Sequence, residues 1–351
     1  MRERALKAMS GEDAGLGGAA LRALMAAATP LYALGNATRS AGFALGLKRS
    51  HPLGRPTVSI GNLTTGGTGK TPMVGHMVRQ LAESGHRPCI LLRGYRGGDE
   101  AEEHRRLLGD LARVEPNPDR VVAAKLALAE DASITCFMLD DGFQHRRAKR
   151  DLDLVLIDAT NPWGYGHLLP RGLMREPKAA LKRADAVIVT RSDQVEAGVL
   201  SEIDAEIKGL TGQSPIAHAE HTWVGLRDAD DKPIELSALG GLAVMGVVGI
   251  GNPDAFVTTL THHAGQVVHC EAQPDHHHYT RKQLLGLIDL AQAAGAQAIV
   301  TTEKDWVKWS VLLEDGKAGL PIYRAQLAMR FGDGEAELAG LIAERILLRN
   351  N

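Results

Sequence analysis

The run Gly61-Asn62-Leu63-Thr64-Thr65-Gly66-Gly67-Thr68-Gly69-Lys70-Thr71-Pro72 leaves this chain few choices of fold. It follows Pro56-Thr57-Val58-Ser59-Ile60, which reads as a buried strand. After it comes Met73-Val74-Gly75-His76-Met77-Val78-Arg79-Gln80-Leu81, with apolar residues at helical spacing. Strand, glycine-rich turn, Lys-Thr and helix form the context of a P-loop. The N–H groups of such a turn point at a polyphosphate, and the helix N-terminus adds partial positive charge. The phosphate-binding residues expected are Thr64, Thr65, Gly66, Gly67, Thr68, Gly69, Lys70 and Thr71, with Lys70 on the β- and γ-phosphates and the Thr71 hydroxyl on Mg²⁺. The usual spacing puts a glycine where Thr64 stands. Gly66 and Gly67 are expected to supply the flexibility instead.

A length of 351 residues suits two domains. The formal net charge of −2 argues against a nucleic-acid binder driven by bulk charge. The basic run Arg146-Arg147-Ala148-Lys149-Arg150 reads as a solvated surface loop more readily than as an anion site. Cys89, Cys136 and Cys270 lack metal-ligand spacing and fit a reducing cytosol. Residues 14–35 carry one charge, Arg22, but are rich in Ala and Gly and contain Pro30, a weak pattern for a membrane span. One or two amphipathic helices over about 19–47 are expected, broken or kinked at Pro30. Leu21, Leu24, Met25, Leu31 and Leu34 supply apolar surface, and Arg39, Lys48, Arg49 and Arg55 a basic flank. Such a helix suits an anionic membrane surface, and it equally suits packing on a domain core.

Beyond the P-loop, strands and helices alternate, which predicts a parallel sheet covered on both faces. Strands are expected at 88–92, 134–139, 152–157 and 186–190, with a helix at 119–129. A hairpin over 218–236 reads as a linker, and a second α/β region follows it. The division expected is 1–50 N-terminal helices, 51–217 P-loop domain, 218–236 linker and 237–351 smaller C-terminal domain.

Phe137-Met138-Leu139-Asp140-Asp141-Gly142 is an apolar strand ending in carboxylates, the partner that a P-loop needs for its metal. Asp99, in the loop after the second strand, is a candidate base for a substrate hydroxyl. Arg175 is a candidate cation for the transferring phosphoryl group, and Glu176 a candidate for the metal's surroundings. Neighbouring side chains rarely chelate one ion together, so His276, His277 and His278 are expected to hold no zinc. Thr190-Arg191-Ser192-Asp193 is faintly like a guanine-reading motif, without its lysine.

Together these motifs resemble the tetraacyldisaccharide 4′-kinase family of lipid A biosynthesis. The P-loop is similar, including a Thr or Ser where glycine is usual. So are Arg93-Gly94-Tyr95, Asp140-Asp141-Gly142-Phe143-Gln144-His145, Leu169-Pro170-Arg171-Gly172, Arg175-Glu176-Pro177, Gly249-Ile250-Gly251-Asn252-Pro253, Asp275-His276-His277 and Thr302-Glu303-Lys304-Asp305. The resemblance implies two α/β/α domains with a two-stranded linker and an active site in the cleft. It implies transfer of the ATP γ-phosphate to the 4′-hydroxyl of a lipid A disaccharide 1-phosphate. This would take place with Mg²⁺ at the cytoplasmic face of the inner membrane. It gives Lys70 and Arg175 to phosphate, and Thr71, Asp140, Asp141 and Glu176 to the metal. Asp99 becomes the general base, supported by His276. The stretch from Arg93 to Asp99 is short for the family, so Asp110 is the alternative base, and His277 or His278 the alternative partner. A monomer that binds no nucleic acid is expected. The rival classes are a P-loop GTPase or metallochaperone ATPase, and a nucleotide-binding membrane adaptor without catalysis.

Overall fold

The computed structural model describes residues 2–94, 99–275, 277–313 and 319–347. In chain order the elements begin α1 (Arg2–Ser10), α2 (Leu16–Ala44), β1 (Thr57–Asn62), α3 (Lys70–Glu83), β2 (Pro88–Leu92), α4 (Asp99–Leu108), β3 (Arg113–Pro116), α5 (Arg120–Glu130) and β4 (Cys136–Asp140). They continue β5 (Leu152–Asp158), β6 (Ala186–Thr190), α6 (Ala197–Thr211), β7 (Ala217–Arg227), β8 (Pro233–Ile234), β9 (Ala243–Val248) and α7 (Pro253–His263). The last are β10 (Gln266–Ala272), α8 (Arg281–Ala293), β11 (Ala298–Thr302), α9 (Glu303–Trp309), β12 (Ile322–Asp333) and α10 (Glu335–Leu347). Two compact units result. The first holds Met1–Arg93, Leu108–Glu220 and Met329–Asn351, and the second Gly94–Leu107 and His221–Ala328.

In the first unit the strands lie in the order β7-β6-β5-β1-β4-β2-β3, each neighbour parallel. β1, β2 and β4 are buried at every position, as apolar runs in a sheet covered on both faces must be. Leu63, Phe143, Val155, Ile157 and Leu181 belong to one core cluster, and Leu91, Ala124, Phe137 and Leu139 to another. Gly61 owes its identity to this packing, because a Cβ there would lie 2.5 Å from the Cβ of Phe143. Cys89 and Cys136 are buried core residues, and burial pushes their thiols up to about 12 and about 11. All strands being parallel, the carboxyl ends of β1, β4, β5 and β6 share one edge, where ligands of such sheets bind.

Of the one or two helices expected, one forms: α2 runs from Leu16 to Ala44 with Pro30 inside it and no break there. Proline removes the bond to the carbonyl of Ala26, but both residues face solvent, where water satisfies that oxygen. Leu16, Leu24, Leu31 and Leu34 are exposed on this helix. No described helix is long and apolar enough to cross a membrane.

The second unit has parallel strands in the order β10-β9-β11-β12, and β8 pairs antiparallel with β7 through Leu226↔Ile234. Its hub is Asp305, which is fully buried. Its carboxylate accepts from the Gly249 N–H at 2.8 Å, from the Thr302 hydroxyl at 2.8 Å and from the Tyr279 hydroxyl at 3.4 Å. Arg324, equally buried, meets Glu303 at 3.1 Å and stacks on Trp306. The segments around Gly249, Tyr279 and Thr302-Asp305 thus converge on one buried carboxylate.

His218 fastens the end of β7 in the first unit. Its Nδ1 is 2.9 Å from Asp333 of β12, and its Nε2 is 3.0 Å from Asp204 of α6. Only the imidazolium can donate from both nitrogens. Burial alone would lower its pKa, but the bonds to Asp204 and Asp333 outweigh this and raise it above 6.5. A raised folded pKa stabilises the fold below the unfolded value and loses that stabilisation as pH climbs through the folded one. His218→Gln should therefore lower Tm at pH 6 and have less effect at pH 9, measured by calorimetry across that range. An equal loss at both pH values would refute the charged clip.

Candidate active site

The phosphate-binding loop opens as a strand and closes as a turn. Leu63 and Thr65 pair with the segment 173–175: the Arg175 N–H donates to the Leu63 carbonyl and the Thr65 N–H to the Leu173 carbonyl, both at 2.7 Å. Thr64 bridges Met174 between them. The chain turns only at Gly66 (φ +131°) and Gly69 (φ +88°), backbone values that favour glycine. Lys70 then starts α3, whose first-turn N–H groups have no intrahelical partner. A Cβ at Gly66 or Gly67 would meet no atom of the described residues within 4 Å, which leaves this stretch of backbone open among them.

Two residues at the end of β6 hold the loop from behind. The Thr190 hydroxyl donates to the Thr68 carbonyl at 3.0 Å, and Arg191 Nη2 donates to the Gly67 carbonyl at 2.6 Å. Arg191 also pairs with Asp158 at the end of β5. The Asn62 amide adds a bond to the Thr68 hydroxyl at 2.9 Å. In the sequence, Thr190-Asp193 is only a failed guanine-reading motif. The structure makes its first two residues a brace for the P-loop. No local signal announces this role, because Arg191 lies 124 residues from the carbonyl it holds.

The charged groups converge on Asp141. Its Oδ2 accepts from Arg175 Nη1 at 2.6 Å, and its Oδ1 faces Lys70 Nζ at 3.7 Å. Burial would raise its pKa, but Lys70 and Arg175 hold it down to about 2, so it remains a carboxylate throughout the working pH range. Asp141 adopts φ +54°, a strained conformation for a residue with a side chain. Asp140, in register with Ile60 of β1, is buried at the same edge. Arg175 is anchored on every side. Gln144 Oε1 accepts from its guanidinium at 3.2 Å, and its carbonyl accepts from Tyr32 at 3.1 Å and Asn36 at 2.6 Å on α2. Glu176 is buried and pairs with Arg183, whose guanidinium covers the Phe143 ring at 4.5 Å.

The site residues predicted from sequence thus fall into three groups. Lys70, Asp141 and Arg175 are brought together. Thr71 lies in the first turn of α3 and Asp140 at the end of β4. Asp99 begins α4 in the second unit, but its side chain and all of His276 lie outside the described residues. Asp110 is exposed in a short 3-10 turn of the first unit. The His277 ring packs edge-on against Tyr279 at 4.7 Å, and His278 is exposed. Among the described residues no three His, Cys or carboxylate side chains gather into a ready-made metal cage. A P-loop ion needs none. The Thr71 hydroxyl and the Asp140 carboxylate are hard oxygen donors of the kind Mg²⁺ takes, with phosphate and water completing its shell.

A parallel sheet with this loop, Lys70 and a strand-end carboxylate defines a P-loop nucleotide-binding protein. A model of the tetraacyldisaccharide-1-P 4′-kinase family matches residues 21–347. A tetraacyldisaccharide 4′-kinase of Geobacter sulfurreducens is 36% identical over 348 residues, covering 92% of this chain and 94% of the relative. Another from Anaeromyxobacter sp. (strain Fw109-5) is 39% identical over 320 residues, 85% of each chain. The crystal structure of LpxK from Aquifex aeolicus in complex with ATP is 27% identical with a TM-score of 0.73, covering 93% of this chain and 99% of that one. The chain belongs to the tetraacyldisaccharide-1-P 4′-kinase family.

If Arg191 positions the loop, Arg191→Ala should weaken ATP binding about tenfold, the worth of one charge-assisted hydrogen bond. Arg191→Lys should restore part of the loss. Titration calorimetry with ATP tests this, and unchanged affinity beside a lowered Tm would reduce Arg191 to a packing role.

Proposed function

We propose that this protein transfers the γ-phosphate of ATP to the 4′-hydroxyl of a tetraacyldisaccharide 1-phosphate, a step of lipid A biosynthesis. The observation that carries the proposal is the Lys70–Asp141–Arg175 cluster at the mouth of a P-loop, in a chain that matches the family over nearly its whole length. Lys70 and Arg175 are fixed cations held by a permanently ionised partner. They are ready to offset the charge that spreads over the phosphoryl oxygens, where most of the rate enhancement of such reactions arises. The loop N–H groups and the start of α3 bind and orient the phosphates. Thr71 and Asp140 would hold Mg²⁺, which when bound neutralises charge on the β- and γ-phosphates. Asp141 stands behind them, while Glu176 is engaged with Arg183. Asp99 takes the proton of the acceptor hydroxyl and His276 orients it. A switch GTPase is disfavoured because Thr190 and Arg191 are spent on the loop backbone rather than facing a base.

The acceptor is a lipid, and α2 supports work at a membrane surface. Its inner stripe of Tyr32, Asn36 and Arg39 bonds to the carbonyls of Arg175 and Gln144. Its opposite face leaves Leu16, Leu24, Leu31 and Leu34 exposed without a charged residue among them. We place this face on the cytoplasmic leaflet of the inner membrane, with the protein acting as a peripheral monomer.

The decisive assay follows label from γ-labelled ATP into the acceptor in detergent with Mg²⁺. Lys70→Ala should abolish transfer. Asp99→Ala should lower kcat by roughly a hundred- to ten-thousandfold while leaving ATP affinity intact. A parallel loss of ATP affinity would remove Asp99 from the role of base. Leu24→Glu with Leu31→Glu should release the protein from vesicles in a flotation assay with no change in fold. Undiminished flotation would exclude α2 as the membrane contact.

A further inference from the structure

Two basic segments that are far apart in the sequence meet at the end of α2. The Ser50 hydroxyl donates to the Arg146 carbonyl at 2.6 Å, across a separation of 96 residues. The His51 N–H donates to the Arg147 carbonyl at 2.7 Å, and the Lys149 N–H to the His51 carbonyl at 2.9 Å. These bonds lay Lys48 and Arg49 beside Arg146-Arg147-Ala148-Lys149-Arg150. Arg39 reaches the same place from α2, donating to the Gln144 carbonyl. Phe43, one turn further, lies under the Arg146 guanidinium at 4.6 Å. The basic run is therefore more than a solvated loop.

The positive charge here is only partly compensated. Arg147 is paired with Asp119, Arg150 with Asp153 and Arg183 with Glu176. Among the described residues Arg39 and Arg146 face no carboxylate within ion-pair distance. Burial and then the charges of Arg183, Arg150 and Arg39 lower the pKa of Arg146, with Glu176 acting against them. The same surroundings hold His145 down to about 4, burial first and then Arg120, with Arg39 and Arg150 adding to it and Asp119 opposing. Cations packed against one another destabilise the fold unless an anion joins them. Among the described residues Glu176 offsets this only in part for Arg146, and no carboxylate is ion-paired with Arg39 or Arg146.

The patch also has a fixed relation to the candidate active site. Gln144 touches both, accepting from Arg175 through its side chain and from Arg39 through its carbonyl. Tyr32, Asn36, Arg39 and Phe43 form one stripe of α2, and its first two members hold the Arg175 carbonyl. From Asn36 to Phe43 a helix advances about 10 Å. A disaccharide sets its two ends a comparable distance apart. We propose that Arg39 and Arg146 bind the phosphate monoester at the reducing end of the acceptor, the end opposite the hydroxyl presented to Arg175. Lys48 and Arg49 add to the field from solvent. The proposal deepens the kinase assignment and rests on it. The phosphate of a bilayer headgroup has the same chemistry and is the other source that the experiment must separate.

The test uses the full-length protein with two acceptors in neutral detergent micelles, the tetraacyldisaccharide 1-phosphate and the same lipid without its phosphate. Binding is measured first, without ATP. Wild type should prefer the phosphorylated lipid about tenfold, and Arg39→Ala and Arg146→Ala should each lose most of that preference, as for one charge-assisted hydrogen bond. Arg146→Lys should recover part of it. In turnover the same variants should raise KM for the phosphorylated acceptor and leave KM for ATP unchanged. Equal weakening toward both lipids would overturn the proposal and make the pair structural. So would variants that discriminate normally but float less well on phosphatidylglycerol vesicles, which would assign the patch to headgroups. If wild type phosphorylates neither lipid yet prefers the phosphorylated one through Arg146, the binding site stands and the kinase assignment falls.

Discussion

The peptide of Arg175 is the joint on which the site depends. Its N–H closes the pairing with Leu63 that makes the first half of the P-loop a strand. Its carbonyl is the oxygen that Tyr32 and Asn36 hold from α2. Its guanidinium fixes Asp141 and Gln144. One residue thus couples the phosphate loop, the strand-end carboxylate and the exposed apolar helix. A change in any of the three is felt by the others through a single backbone position.

The orientation of the loop follows from peptide geometry. In a trans peptide the carbonyl and the following N–H point in opposite directions. Thr190 and Arg191 capture the carbonyls of Thr68 and Gly67, which turns that side of the loop toward β6 and the opposite side outward. The strain needed for this is concentrated in two residues with side chains. Asp141 and Arg191 both have φ +54°, left-handed conformations that cost of order 1 kcal/mol or more each. Each is pinned by an ion pair, Asp141 to Arg175 and Arg191 to Asp158.

Much of this was legible in the sequence, because the signals were local. The parallel sheet follows from apolar runs alternating with helical periodicity. The P-loop follows from Gly-Lys-Thr at a strand end, and Asp140-Asp141 from its position after Phe137-Met138-Leu139. What could not be read depends on contacts distant in sequence. Arg191 lies 124 residues from the carbonyl it holds, and Ser50 lies 96 from Arg146. Nothing in Lys48-Arg49 or Arg146-Arg150 alone announces that they meet. That α2 continues through Pro30 follows from exposure, since the carbonyl orphaned by proline faces water. The Glu176–Arg183 pair also lies beyond local reading, because successive residues of an extended segment point to opposite sides and its partner sits in a later turn.

Thr64 shows why the loop departs from the usual spacing. A glycine is needed at that position when the chain turns there, and this chain does not. Thr64 sits in an extended stretch bridged to Met174, a setting that suits a β-branched residue. The glycine has moved to the other side of the contact. A Cβ on Gly164 would lie 3.0 Å from Thr64 Cγ2 and 2.7 Å from the Cβ of Leu173, and Gly164 itself adopts φ +51°. The threonine methyl therefore fills the space that Gly164 leaves open, locking the segment 164–175 against the loop. The turn is delayed to Gly66 and Gly69, nearer the start of α3. What reads as a defect in a phosphate-binding motif is the strand that fastens Arg175 to it.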